Sequence, residues 1–368
     1  MKKIPVSAPW IDEEDVQRAT EVVRSGWLSR GPEVEEFEKK VAEFLGAGYG
    51  IAVSSGTAAV EVALRALDLE GKEIITSIAS CVPTLNAILH AGCKPVFVDV
   101  EDSTYNIDVE QIEAHISDQT GALLPVHLYG HPCNMGPILD LANKYHLPII
   151  EDCAIAMGAK YQGKYVSTLG AAGCFSFYAN KMITTGEGGM VVTSDPQLAQ
   201  QARIIRHHGQ HPDRPFYHIL YGHNFKLSNL QAAIGLSQMN KLQKSIERRR
   251  DHAAILTEKL ADLQEIQLPR EMPYAFHIYF SYPILLKTPN RRDRLCRFLA
   301  DNGIETRPMF GPMSTQPFFE ERYGPYPEQF LVAEQIGLNG FYVSCSPLLQ
   351  PEDLDYMAVK IREGLYER

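Results

Sequence analysis

Short apolar segments alternate with helix-like patterns from about residue 51 to residue 152. The apolar runs predict strands at 51–53, 74–75, 96–99, 123–127 and 148–152. The stretches between them carry apolar residues three and four positions apart, which predicts a helix bearing Val60, Ala63, Leu64 and Leu67 and further helices near 84–90, 108–116 and 137–145. Strands that are apolar throughout and alternate with helices are typical of a parallel sheet covered on both faces.

Further helices are predicted on either side of this region. Asp12 is suited to cap a first helix that places Val16, Ala19 and Val23 on one face and ends at Gly26. A second helix is expected over about 34–45, a long one over 229–263, and the remainder mixes a strand with helices. We therefore predict an α/β chain. Its large domain, residues 1–263, has a mostly parallel central sheet covered by helices, and a smaller C-terminal α+β domain spans 264–368.

The charge balance argues against two classes of partner. The formal net charge of −10 disfavours nucleic acid and anionic membranes as main partners. No segment approaches the roughly 18 apolar residues of a membrane span, and no apolar signal core follows Met1-Lys2-Lys3. Seven cysteines without a C-x-x-C pair are typical of reduced thiols. We predict a cytoplasmic protein, and we interpret the three arginines at 248–250 as a solvated helix face.

Three polar groups stand where predicted strands end. Lys181 follows the apolar run 171–177, and burial there lowers the pKa of its amine, as a Schiff-base lysine requires. The alternative is an ordinary surface lysine. Ser55-Gly56-Thr57 opens a helix directly after a strand, which suits either a phosphate or a simple helix cap. Asp152 ends the strand 148–152, where a buried carboxylate needs a cation, unless it caps a helix or pairs with an arginine.

Together these groups suit pyridoxal 5′-phosphate (PLP). The lysine would attach the cofactor, the aspartate would keep the pyridine nitrogen protonated, and the turn hydroxyls with Ser176 would hold the phosphate. The sequence lacks a G-x-x-x-x-G-K-[ST] motif, a G-x-G-x-x-G motif after a strand, and H-E-x-x-H or C-x-x-C metal motifs. His207 and His208, adjacent on a predicted helix, are expected to point apart, and we predict no metal site.

Ordered segments along nearly the whole chain resemble those of one enzyme family. They are 26–32 (GWLSRGP), 55–57 (SGT), 95–100 (PVFVDV), 125–132 (PVHLYGHP), 151–152 (ED), 174–178 (CFSFY), 184–190 (TTGEGGM) and 224–233 (NFKLSNLQAA). The chain resembles the DegT/StrS-type sugar aminotransferases, PLP enzymes that act on nucleotide-activated keto sugars. The resemblance implies PLP fold type I, the aspartate aminotransferase-like fold, and a homodimer whose active sites lie between protomers.

The resemblance also implies a role for each matched residue. Lys181 would be the Schiff-base lysine and proton shuttle, and Asp152 would pair with the pyridinium. Phosphate contacts would come from Ser55, Gly56, Thr57 and Ser176, with Asn224 of the neighbouring subunit. Substrate contacts would come from Trp27, Ser29, His127, Glu187 and Arg307. A domain-interface ion pair is the alternative for Arg307. The implied reaction moves the amino group of L-glutamate to a keto sugar nucleotide.

Three positions depart from the family pattern. Cys81 stands where the family has an aromatic residue stacked on the cofactor, and Ile155 where it has Gln, Glu or His. Both changes remove a cofactor contact, so we expect weaker PLP binding. Segments 211–217 and 303–308 are most similar to the perosamine synthase branch, which aminates GDP-4-keto-6-deoxymannose at C4, although Ser314 replaces its usual histidine. The alternatives are a 3-keto sugar nucleotide or keto-cyclitol as acceptor, and a PLP-binding regulatory protein without turnover.

Overall fold

In the computed structural model, which describes residues 3–367, helices and short strands alternate along the chain. The helices are α1 (Glu13–Ser25), α2 (Pro32–Leu45), α3 (Gly56–Ala66), α4 (Val82–His90), α5 (Val109–Ile112), α6 (Met135–Tyr145), α7 (Pro196–Arg206), α8 (Asn229–Leu260), α9 (Arg292–Asp301), α10 (Pro317–Tyr323), α11 (Leu331–Asn339) and α12 (Pro351–Tyr366). The strands are β1 (Tyr49–Val53), β2 (Glu73–Ser77), β3 (Lys94–Val98), β4 (Thr120–Leu124), β5 (Ile150–Asp152), β6 (Lys160–Tyr161), β7 (Lys164–Tyr165), β8 (Ala172–Ser176), β9 (Gly189–Thr193), β10 (Ile266–Gln267), β11 (Ala275–Phe276), β12 (Tyr282–Leu286), β13 (Arg307–Pro308) and β14 (Gly340–Val343).

A seven-stranded sheet in the order β3-β2-β4-β5-β8-β9-β1 forms the centre of the molecule. Strand β2 is parallel to β3 and β4, and β5 is parallel to β8. Parallel bridges from Leu123 to Ile149 and from Val126 to Asp152 join the β4 side to the β5 side. Strand β9 runs antiparallel to both of its neighbours. The predicted mostly parallel sheet is therefore confirmed, and β4, β5 and β8 end at one edge.

Apolar cores cover both faces of this sheet. In β1, Ile51 and Val53 pack in the core formed with α3, α4 and α7. Ala52, between them, packs in the opposite core with α2 and α8. Side chains alternate across a strand, so a run that is apolar at every position needs apolar neighbours on both sides. The helices on the two faces supply those neighbours and fix the strand ends in place.

The C-terminal part has its own core and an antiparallel sheet in the order β10-β12-β14-β13. Helix α9, helix α12 and the distal part of α8 contribute Leu295, Leu354 and Leu256 to this core. Ile4 also lies there, where its backbone pairs with that of Ile304. The domain boundary at residue 263 stays a prediction, since α8 contributes to cores on both sides of it.

Helix α1 begins after Asp12 and ends at Gly26, as predicted, but it faces its neighbour differently. Val16 and Val23 are half exposed, whereas Asp15 is buried. The carboxylate of Asp15 forms an ion pair with Lys241 of α8 at 2.5 Å. This polar contact, rather than the apolar stripe, faces α8, so the predicted apolar face of α1 remains exposed on this chain.

Helix α8 carries the three consecutive arginines of the sequence. The expected solvated face is wrong for Arg249, which is only 3% exposed and donates to the carbonyl oxygen of Phe280 at 2.7 Å. Burial lowers the pKa of this guanidinium to about 10. The helix lies against two cores, so protein surrounds it on more than one side. Over residues 3–367, no helix combines the length and apolar character needed to cross a membrane.

Candidate active site

A cavity of about 410 Å³ lies at the sheet edge where β4, β5 and β8 end. The sequence-predicted residues that line it are Ser55, Gly56, Thr57, Asp152, Ser176, Lys181 and Glu187. Parallel strands bring their carboxyl ends together, which is why residues distant in the sequence meet at this place. The volume falls within the range of small-molecule sites, roughly 300–1,000 Å³.

The N-terminus of α3 faces Ser176 within this cavity. Ser55 caps the helix, because its Oγ accepts a hydrogen bond from the backbone N–H of Ala58 at 3.1 Å. A Cβ atom added at Gly56 would lie only 2.7 Å from the Cβ of Ser176, so this close approach requires glycine. The first N–H groups of a helix and the positive end of its dipole suit a phosphate.

Asp152 ends β5 at the cavity wall and is only 4% exposed. Its Oδ2 accepts from Thr84 Oγ1 at 2.8 Å, and its Oδ1 accepts from the backbone N–H of Ala154 at 3.0 Å. Because the single hydroxyl proton of Thr84 goes to the carboxylate, Ser80 donates the 3.2 Å bond to Thr84. This chain of hydroxyls fixes the orientation of the carboxylate and leaves lone pairs available for a cation in the cavity.

Lys181 lies in the turn that follows β8, with its Nζ 5.5 Å from the ring centroid of Phe280. Burial lowers the pKa of the amine below its ordinary value of 10.5, while the Cys81 thiol and the Asp152 carboxylate oppose that change. The Cys81 thiol faces the same cavity, and burial raises its pKa. Lys181 therefore holds a larger fraction of neutral, nucleophilic amine than a solvated lysine at the same pH.

Three aromatic side chains that sequence reasoning missed complete the cavity wall. Tyr129 and Phe310 stack with ring centroids 5.8 Å apart, and Tyr342 lies 5.9 Å from Tyr129. Tyr129 has a left-handed backbone with φ of 54°, which is uncommon for a bulky residue and accompanies functional sites. A Tyr-Gly-His-Pro turn in the sequence could have pointed to Tyr129. Phe310 and Tyr342 reach the cavity only through the packing of the C-terminal part.

The structure does not bring His127 into the cavity. The side chain is fully buried, with Nε2 3.2 Å from Glu151 Oε2 and Nδ1 accepting from the N–H of Cys133 at 3.0 Å. Glu151 Oε1 also accepts from two backbone N–H groups at 169–170. Ligand-type atoms of His127, Glu151 and Cys153 lie within 4.8 Å of one another, but hydrogen bonds already engage the histidine and the carboxylate. The predicted lack of a metal site stays a prediction.

Three other predicted residues lie outside the cavity of their own chain. Trp27 is exposed, and the loop that holds Trp27 and Ser29 packs on the start of α8, where their carbonyl oxygens accept from Asn229. Asn224 pairs through its backbone with His207. These positions share one side of the molecule, at the C-terminal end of α7 and the N-terminal end of α8.

Arg307 lies near the cavity mouth without lining the cavity. Its backbone pairs with that of Tyr342, which is part of the aromatic wall. Its guanidinium forms an ion pair with Glu305 at 2.6 Å, and both side chains are exposed. Arg307 therefore forms an ion pair in this structure and is also exposed near the mouth, where it can contact a ligand.

The residues of the cavity fit PLP. A buried carboxylate such as Asp152 calls for a cation, and a protonated pyridine nitrogen supplies one. The N-terminus of α3 suits the phosphate. Asn180 Oδ1 and Ser281 Oγ, on the cavity wall, are buried without a hydrogen-bond partner among residues 3–367, and a polar ligand would satisfy them. Cys81 and Ile155, two of the three departures from the family pattern, also line this cavity.

Comparisons with known proteins agree with this geometry. The chain is 40% identical to GDP-perosamine synthase of Escherichia coli O157:H7 over 365 residues, 99% of each chain. It is 35% identical to GDP-perosamine synthase of Caulobacter vibrioides, again over 99% of each chain. The solved structure of Helicobacter pylori PseC, an aminotransferase involved in the biosynthesis of pseudoaminic acid, superposes with a TM-score of 0.93. It is 28% identical, over 99% of both chains.

Residues 9–362 match the DegT/DnrJ/EryC1/StrS aminotransferase family. That range includes every side chain assigned above to the cofactor. The fold is PLP fold type I, which confirms the predicted fold class, and the cofactor is pyridoxal 5′-phosphate. The chain belongs to the DegT/DnrJ/EryC1/StrS aminotransferase family and is a PLP-dependent sugar aminotransferase.

Proposed function

We propose that this enzyme transfers the amino group of L-glutamate to a nucleotide-activated 4-keto-6-deoxy sugar, with GDP-4-keto-6-deoxymannose as the favoured acceptor. The chemistry is supported by one observation: Lys181, Asp152 and the N-terminus of α3 meet in a single cavity. The choice of acceptor is supported by the two GDP-perosamine synthases at 40% and 35% identity.

Lys181 supplies the amine that attaches the cofactor and moves protons. An amine must be neutral to attack a carbonyl, and burial of Lys181 favours the neutral form. The Nζ of Lys181 would take a proton from the α carbon of glutamate and, in the second half of the reaction, would give a proton to the sugar carbon.

Asp152 controls the proton on the pyridine nitrogen. Bound PLP supplies an electron sink for the negative charge that develops at the reacting carbon, provided this nitrogen is protonated. The Asp152 carboxylate would accept a hydrogen bond from that nitrogen, and Thr84 and the backbone N–H of Ala154 fix the orientation of the carboxylate. Replacing Asp152 by alanine would leave the nitrogen without its acceptor.

The phosphate is held by groups from two protomers. Ser55, Gly56 and Thr57 would supply hydroxyl and backbone donors at the start of α3, and Ser176, at the end of β8, would add a hydroxyl. Asn224 of the partner subunit would complete this set, since Asn224 lies outside the cavity of its own chain. Trp27 and Ser29, on the same side as Asn224, would contact substrate across that interface, while Glu187 and Arg307 would contact it from the near side. The homodimer and the cytoplasmic location are part of this proposal.

The test is an acceptor panel with purified, PLP-loaded enzyme and L-glutamate. We expect the kcat/KM for GDP-4-keto-6-deoxymannose to exceed those for dTDP- and UDP-linked 4-keto sugars, a 3-keto sugar nucleotide and a keto-cyclitol. Lys181→Ala is the matched control and should abolish transfer while leaving a folded dimer. A higher kcat/KM for a 3-keto acceptor would overturn the assigned substrate. Substantial transfer by Lys181→Ala would overturn the role of the lysine.

A further inference from the structure

A second pocket, of about 510 Å³, lies between β1, the end of α7 and the loop before α2. We call it the anion pocket; its charged and titratable lining groups are Arg30, Arg203, Arg206, His207 and His211. No carboxylate is among the described residues that line it, and it shares no lining residue with the active cavity. Three arginines therefore line one pocket of a chain whose formal net charge is −10.

Two of the three arginines are available to a ligand. Arg206 is buried and forms an ion pair with Glu38, so its charge is compensated. Arg203 lies over the ring of Tyr49, 5.5 Å from the centroid, and makes no ion pair with any residue in 3–367. Arg30 has only a 3.5 Å contact with the solvent-exposed Glu35. An exposed contact of that length contributes little and competes weakly with a ligand.

Two histidines and a lysine converge beside this pocket. Sequence spacing predicts that the rings of His207 and His208 point apart, but α7 ends at Arg206, and the two rings converge on one ammonium. Lys226 Nζ lies 3.2 Å from His207 Nδ1 and 2.9 Å from His208 Nε2. Burial and the nearby Lys226 charge lower the pKa of His207, and Arg30 and Arg206 act in the same direction. The two imidazoles are therefore mainly neutral and accept from the Lys226 ammonium, and an anion in the pocket would lie near the positive charges of Lys226, Arg30 and Arg206.

We infer that the anion pocket binds a diphosphate group, held by the guanidinium groups of Arg30 and Arg203. Planar guanidinium groups bind phosphate oxygens in pairs. Arg203, without an ion pair in the part of the chain that the structure describes, and Arg30, with only the exposed contact to Glu35, place two such groups in one pocket, which match two linked phosphates better than a single carboxylate. The shared chemistry fits two sources, the diphosphate of a nucleotide-activated sugar and free pyrophosphate.

The first source rests on the proposed function. Arg30 directly follows the predicted substrate loop of Trp27 and Ser29, and His207 pairs with Asn224, which is expected to serve the cavity of the partner subunit. The anion pocket therefore belongs to the side of the molecule from which one protomer would reach the substrate of the other. In that arrangement it would hold the diphosphate while the sugar lies in the partner's cavity.

Calorimetric titration of the PLP-loaded enzyme with inorganic pyrophosphate tests the pocket. We expect Arg203→Gln and Arg30→Gln each to raise the Kd for pyrophosphate about tenfold or more, since each removes one charge-assisted contact. Arg297→Gln, an exposed arginine of α9 far along the chain, is the matched control and should bind as wild type. Wild-type affinity in both pocket variants, or an equal loss in Arg297→Gln, would overturn the inference.

Two further titrations separate the source of the ligand and the proposed function. If GDP binds at least as tightly as pyrophosphate, and Arg203→Gln and Arg30→Gln lose the same affinity for it, the pocket binds the nucleotide sugar. If pyrophosphate binds and GDP does not, the pocket binds free pyrophosphate. Lys181→Ala should bind pyrophosphate as wild type does. Failure of amine transfer with pyrophosphate binding intact would therefore refute the proposed function alone, whereas loss of pyrophosphate binding in Lys181→Ala would refute a separate pocket.

Discussion

Replacing Thr84 by valine removes one hydroxyl from the Asp152 network and nearly preserves the side-chain volume. Thr84 is 3% exposed and Asp152 is 4% exposed, with 2.8 Å between their oxygen atoms. Solvent therefore screens this hydrogen bond little and offers no replacement donor. Hydrogen bonds to charged groups contribute about 1.5–3 kcal/mol. We expect Thr84→Val to lower the free energy of unfolding of the cofactor-free protein by ~1.5–3 kcal/mol.

A double-mutant cycle with Asp152→Ala isolates this contact. Urea unfolding, followed by circular dichroism at one protein concentration, gives the free energies for wild type, both single variants and the double variant. If Thr84 acts mainly through Asp152, its replacement by valine should cost only about 0.5–1.5 kcal/mol in the Asp152→Ala background, where the bond with Ser80 alone is lost. Thr84→Ser is the matched control, because it keeps the hydroxyl and loses one methyl group, worth about 0.8 kcal/mol. Equal losses from Thr84→Val in both backgrounds would refute the reasoning, since the effect would then come from packing.

Three other substitutions test separate parts of the account. The free energy of unfolding of wild type, relative to that of Lys181→Met, should rise as the pH approaches 10.5. The reason is that the folded state binds the proton of Lys181 more weakly than the unfolded state does. Urea unfolding at a series of pH values measures this difference in free energy, and a fall with rising pH would contradict the prediction. Gly56→Ala should weaken PLP binding roughly tenfold, because the added methyl group overpacks against Ser176 at a cost of about 1–3 kcal/mol. Equilibrium dialysis measures the affinity for PLP. An unchanged affinity would count against phosphate binding at the N-terminus of α3. His127→Leu should lower the free energy of unfolding by about 1–3 kcal/mol, because Glu151 loses a buried hydrogen-bond donor. The KM for the sugar nucleotide should stay unchanged. A large rise in that KM would instead place the histidine in the substrate site.

The sequence was most informative where its signals are local. An apolar run that stops at a polar residue predicts a strand end, and Asp152 and Lys181 were both located in this way. The turn at 55–57 was recognised because a strand precedes it and a helix follows it. Parallel strands then bring such ends together, so the cavity follows from local patterns plus one topological rule.

The sequence was less informative where a side chain depends on tertiary packing. The apolar pattern predicts a strand over 123–127 that includes His127, but β4 ends at Leu124, so alternation does not decide where the histidine points. Arg249 is buried because α8 lies against two cores, which a charge run cannot reveal. The contact between Thr84 and Asp152 joins residues 68 positions apart, and only the assembled sheet brings them together.

The central claim is that Lys181 and its cavity move an amino group from glutamate to a sugar. L-glutamate carrying a heavy isotope at its amino nitrogen, mixed with the PLP-loaded enzyme and GDP-4-keto-6-deoxymannose, tests it in one mass-spectrometric measurement. The account predicts that the label appears in the amino group of the sugar nucleotide, with 2-oxoglutarate formed in equal amount, and that Lys181→Ala gives neither product. Label that stays on glutamate while PLP is bound and the acceptor is present would contradict it.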